Sequence, residues 1–589
     1  MVAVMGVVAL ATTALGATAA TAAQQSTTTA TSSAASAGGT FAVLADRASD
    51  VDSVVAQLRR AGATVVSVNR AIGLVTVTSR SAGFAAKARA LKGVRAAATD
   101  GVVGHSPDAG RVKDRVVRER QTAAKTAAAV KAAKAAKAKG KGTAAAGPSD
   151  PLDSLLWGMD MINAPQAHAR TLGDHRVKVG VMDTGVDGSH PDLAANFDHA
   201  LSRNFTTDMS DIDGDVCEFA GCVDPADHDD NGHGTHVAGT MAAAMNGMGV
   251  SGVAPAVDIV NVRAGQDSGY FFLGATADAL TYSGDVGLDV VNMSFYVDPW
   301  AYNCQGGAPE DSPEEAAEQD LIIATMSRAL NYAHGKGVTL VAALGNNHED
   351  KSVPRVDPSS PDYPGGTEHD RTIDNATCFD LPVEGPHVIG VSALGPSTRK
   401  ADYSNYATDL RSGEIEVSAP GGWFRDGLGT QTYRTNGNLI LSTAPLNVMQ
   451  DEGQVDENGD ITELGESLGT MKDCGVVDGR EQCGYYQYLQ GTSMASPHAA
   501  GVAALAVSAQ GHKQGRGGFG LAPDKVRAIL MNTATDHACP AGGTQSYVDV
   551  GRSAEFTATC VGGASFNGFY GAGIVNALRV VAKGKGNGP

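Results

Sequence analysis

Apolar positions recur along this chain in two patterns. Between residues 40 and 104, Thr40-Phe41-Ala42-Val43-Leu44 reads as a strand, and Val54, Val55 and Leu58 share one face of a helix over 51–61. Strands over 63–68 and 73–77 and a second helix over 82–91 follow, giving an order close to βαββαβ, a small α+β ferredoxin-like unit. From Leu155 onward, short apolar runs alternate with helical spacing. Strands are expected at 177–182, 258–262, 290–293, 338–343, 387–394 and 416–419, and helices over 275–283, 324–334 and 497–508. Strands separated by helices predict an α/β fold with a mainly parallel sheet flanked by helices. Polar, Gly/Asp-rich stretches at 297–320, 348–380 and 424–488 read as surface insertions on that scaffold.

Charge divides the chain where the pattern changes. The first 148 residues hold 20 Lys/Arg and 7 Asp/Glu, although the whole chain carries −19. Lys131, Lys134, Lys137, Lys139 and Lys141 lie among alanines with no apolar face, so 105–150 reads as a solvated basic linker open to proteolysis. A nucleic-acid arm is the sharper alternative for this stretch alone. The strongly acidic remainder excludes nucleic-acid binding as a general role. Residues 1–23 are apolar and small and give way to a Ser/Thr/Ala stretch over 24–39, the pattern of a secretory signal peptide, although no Lys or Arg precedes the apolar run. After it, no apolar run is long enough to span a membrane. Eight cysteines, all beyond residue 216, suit an exported, disulfide-bonded protein. Proximity favours Cys217–Cys222, Cys304–Cys378, Cys474–Cys483 and Cys539–Cys560.

Three segments carry candidate chemistry. Asp183 ends the strand 177–182 before Thr184-Gly185, at the carboxyl end where ligands meet parallel sheets; taken alone, it caps the next element. His233 sits between glycines in Asp230-Asn231-Gly232-His233-Gly234-Thr235-His236. The His233/His236 pair lacks the spacing that places two imidazoles one helical turn apart for a metal. Ser493 follows Gly491-Thr492 at the start of an Ala-rich helix, with Pro497 suited to a first helical turn. There free N–H groups favour developing negative charge, or the serine serves as a simple N-cap.

Together, Val181-Met182-Asp183-Thr184-Gly185, Asn231-Gly232-His233-Gly234-Thr235-His236 and Gly491-Thr492-Ser493-Met494-Ala495-Ser496-Pro497 resemble the subtilisin-like serine proteases, over roughly residues 151–580. The resemblance implies a triad of Asp183, His233 and Ser493, with Asn346 in Gly345-Asn346 as oxyanion donor. It implies substrate contacts from Ser294, Phe295 and Tyr296 and from Ala343, Leu344 and Gly345. Phe295-Tyr296 stands where the family often has Leu-Gly, so a pocket partly closed to large P1 side chains is expected. A structural calcium is implied at Asp192 and Asn246 with the Ala244, Met248 and Val250 carbonyls, and no organic cofactor is implied. Residues 40–104 resemble the family's propeptide, a chaperone and inhibitor released by cleavage in the linker, and Tyr570 to Ala577 resembles its closing segment, leaving 581–589 as a tail. The resulting expectation is a secreted, monomeric serine endopeptidase acting on proteins or peptides, made as a self-processing precursor. Three alternatives differ in chemistry: an exopeptidase with a narrowed cleft, a catalytically dead binding protein, and a metallohydrolase using His233 and His236.

Overall fold

The computed structural model describes residues 39–99, 149–214, 216–363, 365–477, 479–513 and 518–582. The expected signal peptide, basic linker and tail fall wholly or almost wholly outside these residues. The first described segment runs β1 (Gly39–Ala45), α1 (Val51–Arg60), β2 (Thr64–Asn69), β3 (Leu74–Ser79), α2 (Phe84–Arg89) and β4 (Val94–Thr99). Its strands form an antiparallel sheet in the order β2-β3-β1-β4. Side chains alternate across a strand, and the unit uses both faces. Val43, Ala45, Val75 and Val77 pack on α1 and α2. Ala42, Leu44, Leu74 and Ala96 join a core built by the larger unit.

That larger unit is a seven-stranded sheet. Its strands are β5 (Lys178–Met182), β6 (Arg203–Asn204), β7 (Asp258–Arg263), β8 (Val290–Met293), β9 (Thr339–Ala343), β10 (Val388–Leu394) and β11 (Val417–Pro420), in the order β11-β10-β9-β8-β5-β7-β6. All its pairings are parallel. The strands read as apolar runs because both faces are covered. Val179, Val181 and Val341 face one core with helices α3 (His233–Ala242) and α6 (Thr492–Gln510). Met182, Val291, Leu340 and Ala342 face the other, with α4 (Leu273–Val286) and α5 (Pro313–Lys336). The expected α/β fold with a parallel sheet flanked by helices is the fold observed.

Two insertions are more ordered than their composition suggests. Within 297–320, α5 already begins at Pro313, because Ser312 accepts from the Glu315 N–H while the Glu315 carboxylate caps the Ser312 N–H. Trp300, Tyr302 and Gln319 of the same stretch are buried. Within 424–488, strands β12 (Ile440–Ala444), β13 (Met471–Val477) and β14 (Arg480–Leu489) form a second sheet, so this stretch is not a surface loop. All four disulfides join the cysteines that proximity paired.

Helix α6 runs through the protein interior. Every residue from Thr492 to Val507 is buried except Ser493. Pro497 does not open this helix as its composition suggested; it lies inside, one turn beyond Thr492. A proline there forfeits the bond to the carbonyl four residues back, that of Ser493. The Ser294 hydroxyl takes that freed carbonyl at 3.1 Å. Leu505→Ala, which empties a fully buried position of α6, is expected to cost about 2–5 kcal/mol, read as a lower denaturation midpoint.

Candidate active site

Each candidate side chain stands at the end of a regular element. Asp183 follows β5, and its carbonyl accepts the Ala264 and Gly265 N–H groups beyond β7. Its Oδ1 accepts the Thr184 N–H at 2.9 Å and a bond from His233 Nδ1 at 2.7 Å. The Asp183 side chain is fully buried and that of His233 is 13% exposed. His233 is the first residue of α3, entered through Gly232 at φ 89°. A residue not singled out from the sequence fixes this junction. Asp229 accepts from the Thr184 hydroxyl, the Thr235 hydroxyl and the Gly232 N–H, and Thr184 Oγ1 accepts the Gly234 N–H. Strand end and helix start are thereby tied into one unit. Only the run Asp229-Asp230 beside His233 hinted at this role.

Ser493 and Asn346 lie across the same cleft, of about 560 Å³. Asn346 Oδ1 accepts both the Thr492 N–H and the Thr492 hydroxyl at 2.8 Å. This commits its oxygen and turns the amide NH₂ outward. Gly491 has φ 155° and ψ 164°, and a Cβ there would lie 3.5 Å from Asn346 Nδ2 and 3.6 Å from Ser493 N. The missing Cβ leaves a space bordered by two donors at a helix N-terminus, the requirement for holding a developing oxyanion. The Ser493 hydroxyl donates to the Ser294 carbonyl at 3.3 Å and not to His233.

The predicted walls largely reach the cleft. Ser294, Phe295, Tyr296, Ala343 and Gly345 line it. Leu344 does not: its side chain is fully buried in the core shared with α4 and α5, because alternation after β9 turns it inward. Phe295 stacks on Phe271 with centroids 4.1 Å apart. Tyr296 packs on a cluster containing Tyr302 and Cys304, its hydroxyl on Asp362 Oδ2 at 2.6 Å. The insertion 348–380 contributes Glu349, Asp357, Asp362 and Asp380 to the wall; its polar composition concealed this.

His236 is not turned toward His233. Its ring donates to the Ile440 carbonyl within the core, and burial pushes its pKa down to about 3. Asp192 and Asn246 do meet, but not as a calcium cage. Asp192 accepts from Val250 N–H at 2.9 Å, Tyr486 O–H at 2.9 Å and Asn246 Nδ2 at 3.3 Å, while Asn246 Oδ1 accepts the Met248 N–H. Burial, against these hydrogen bonds, pushes the Asp192 carboxyl up to about 7. These side-chain groups do not fit a cation as they stand, and no chemistry is assigned to one here.

For His233, burial disfavours the charged form. The Asp183 charge, its hydrogen bond and the Asp229 charge outweigh it and hold the pKa above 6.5. The His233 resonance is therefore expected to titrate above 6.5, and Asp183→Asn to lower its midpoint. Histidine NMR reads both; a midpoint indifferent to the substitution would contradict the pairing.

The Subtilase family model matches residues 174–573. Among characterised relatives, M-protease of Shouchella clausii is 28% identical over 352 residues, 60% of this chain and 59% of that protein. Subtilisin BL of Lederbergia lenta is 30% identical over 268 residues, 46% of this chain and 72% of that protein. The crystal structure of an epidermin leader peptide processing serine protease from Staphylococcus aureus shares the fold. Its TM-score is 0.58 at 18% identity, covering 94% of this chain and all of that one.

Proposed function

We propose, because the chain belongs to the subtilase family, that it is a serine endopeptidase working through Asp183, His233 and Ser493. One observation carries this reading: the buried Asp183–His233 pair, Ser493 at the start of α6 and the outward Asn346 amide open on a single cleft.

With a peptide in the cleft, Ser493 Oγ turns from the Ser294 carbonyl toward His233 Nε2. His233 takes the hydroxyl proton as Oγ attacks the scissile carbonyl. Asp183 holds Nδ1–H, so that Nε2 is the free base, and stabilises the imidazolium once formed. Asn346 Nδ2 and Ser493 N–H bind the oxyanion. His233 then protonates the leaving amine, and water hydrolyses the acyl-enzyme by the same steps in reverse. Ser294, in the segment after β8, stands where a substrate strand adds to the cleft edge.

In this reading the unit 39–99 is the enzyme's inhibitor. Asn69 Nδ2 donates to Asp278 Oδ1 and Thr281 Oγ1 on α4 at 2.7 and 2.8 Å. Arg328 of α5 donates to the Ala45, Asp46 and Ile72 carbonyls. Thr99, at the end of β4, lies beside Phe272 and Leu273, next to the cleft residues Tyr270 and Phe271. Release of this unit by cleavage within the linker 105–150 and export of the protein belong to the same proposal. The apolar N-terminus and four disulfides support export. No helix among the described residues is long and apolar enough to cross a membrane.

Ser493→Ala is expected to leave the precursor uncut and to abolish labelling by a fluorophosphonate, as seen by N-terminal sequencing and gel fluorescence. Labelling of the variant at the wild-type rate would refute the assigned nucleophile. Asn346→Ala is expected to lower kcat by about 10²–10³ with a smaller change in KM, measured on a blocked peptide.

A further inference from the structure

The cleft is chemically one-sided. Six carboxyl-bearing residues line it (Asp298, Glu349, Asp357, Asp362, Asp380 and Glu452), and among the described residues no Lys or Arg does. Four of the six come from the segment 348–380 after Asn346. Their counter-charges sit behind the wall. Lys351 and Arg371 have fully buried side chains and Arg355 is nearly so. These three cations are shared among Asp311, Glu349, Asp357, Asp380 and Glu384, with His369 also 3.2 Å from Asp311. Five carboxyl groups stand against these three cations, and Glu349, Asp357 and Asp380 are the members of the network that reach the cavity.

Asp380 is one of these three. It lies between the segments of Gly345 and Val297. On one side its Oδ2 stands 3.5 Å from the position of the Cβ that Gly345 lacks, beside Asn346. The bare backbone of Gly345, at φ 103°, admits the Asn405 amide, whose Nδ2 would lie 2.4 Å from that Cβ, and the Asp380 carboxylate stands at ordinary contact distance beside it. On the other side the next residue, Leu381, accepts the Val297 N–H at 2.8 Å, which fixes Asp380 against the strand end carrying Phe295 and Tyr296. Oδ2 is held by Lys351 at 2.9 Å, while the residue still faces the cleft that Ser493 lines. A carboxylate anchored on one oxygen by a buried ammonium, at the wall of a substrate pocket, is preorganised for a second cation.

We infer that Asp380 determines specificity for substrates with Lys or Arg at P1, its carboxylate receiving the cationic end of that side chain while the acyl carbonyl sits at Ser493 and Asn346. This rests on the serine endopeptidase reading and supplies its substrate class. A basic side chain gains from the negative wall, an acidic one is repelled, and an apolar one makes no ionic contact there.

The test uses the protein from the full-length chain, its active sites first counted with a fluorophosphonate. Failure to label at Ser493 would sink the endopeptidase reading itself, separately from this inference. With labelled enzyme, kcat/KM is measured on one blocked peptide varied only at P1 among Arg, Lys, Leu, Phe and Glu. Arg or Lys is expected to exceed Leu and Phe by about 100-fold. Equal or faster cleavage after Leu or Phe would overturn the inference. In Asp380→Asn the Arg-to-Leu ratio is expected to fall at least about tenfold. An unmoved ratio in a folded, labelled variant would overturn the role of Asp380. Should this variant fail to fold because Lys351 keeps only Glu384 as a charged partner, the wild-type P1 series decides alone.

Discussion

A single buried hydrogen bond, from His233 Nδ1 to Asp183 Oδ1, sets the terms for the site around it. A carboxylate with no solvent access is costly unless its charge is met, and here the imidazole and the Thr184 N–H meet it. The bond must span the end of β5 and the start of α3, so both must be placed to within tenths of an ångström. Asp229 does this from beneath with bonds to Thr184, Thr235 and the backbone at Gly232. The parallel sheet supplies the coarse position, and this polar knot supplies the fine one.

A similar division of labour places Ser493. Burial of α6 against the sheet and beside α3 fixes the helix axis, but Pro497 interrupts its bonding at the turn that carries Ser493. Ser294 repairs the interruption through its hydroxyl, and its own carbonyl in turn receives the Ser493 hydroxyl. The strand end that would meet a substrate is thus joined to the residue that would attack it. The Ser493 hydroxyl is thereby held by Ser294 and not by the imidazole.

Much of this was legible in the residues. Strand runs such as Val177–Met182 and Val338–Ala343 are apolar because both faces are covered, and that burial is what hydropathy reports. Asp183, His233 and Ser493 stood out because glycines and small residues surround them, a local signature of crowded backbone. Leu344 was misplaced because its neighbours Ala343 and Gly345 do line the cleft, and only the strand's alternation separates them. Asp229 and Asp380 were invisible for a different reason. Their roles depend on partners far along the chain, Thr184 for one and Lys351 with Gly345 for the other, and no local pattern encodes such meetings. The 348–380 stretch looked like solvent-facing ornament because its charges were counted without the buried cations behind them.

The Cys304–Cys378 bridge encloses the segment that carries Glu349, Asp357 and Asp362, and it ends two residues before Asp380. The same bridge encloses α5, β9 and Asn346, so Glu349, Asp357 and Asp362 share one covalently closed loop with the Asn346 amide, while Asp183, His233 and Ser493 lie outside it. A change of length or charge between Asn347 and Cys378 thus falls inside a loop to which none of those last three side chains belongs.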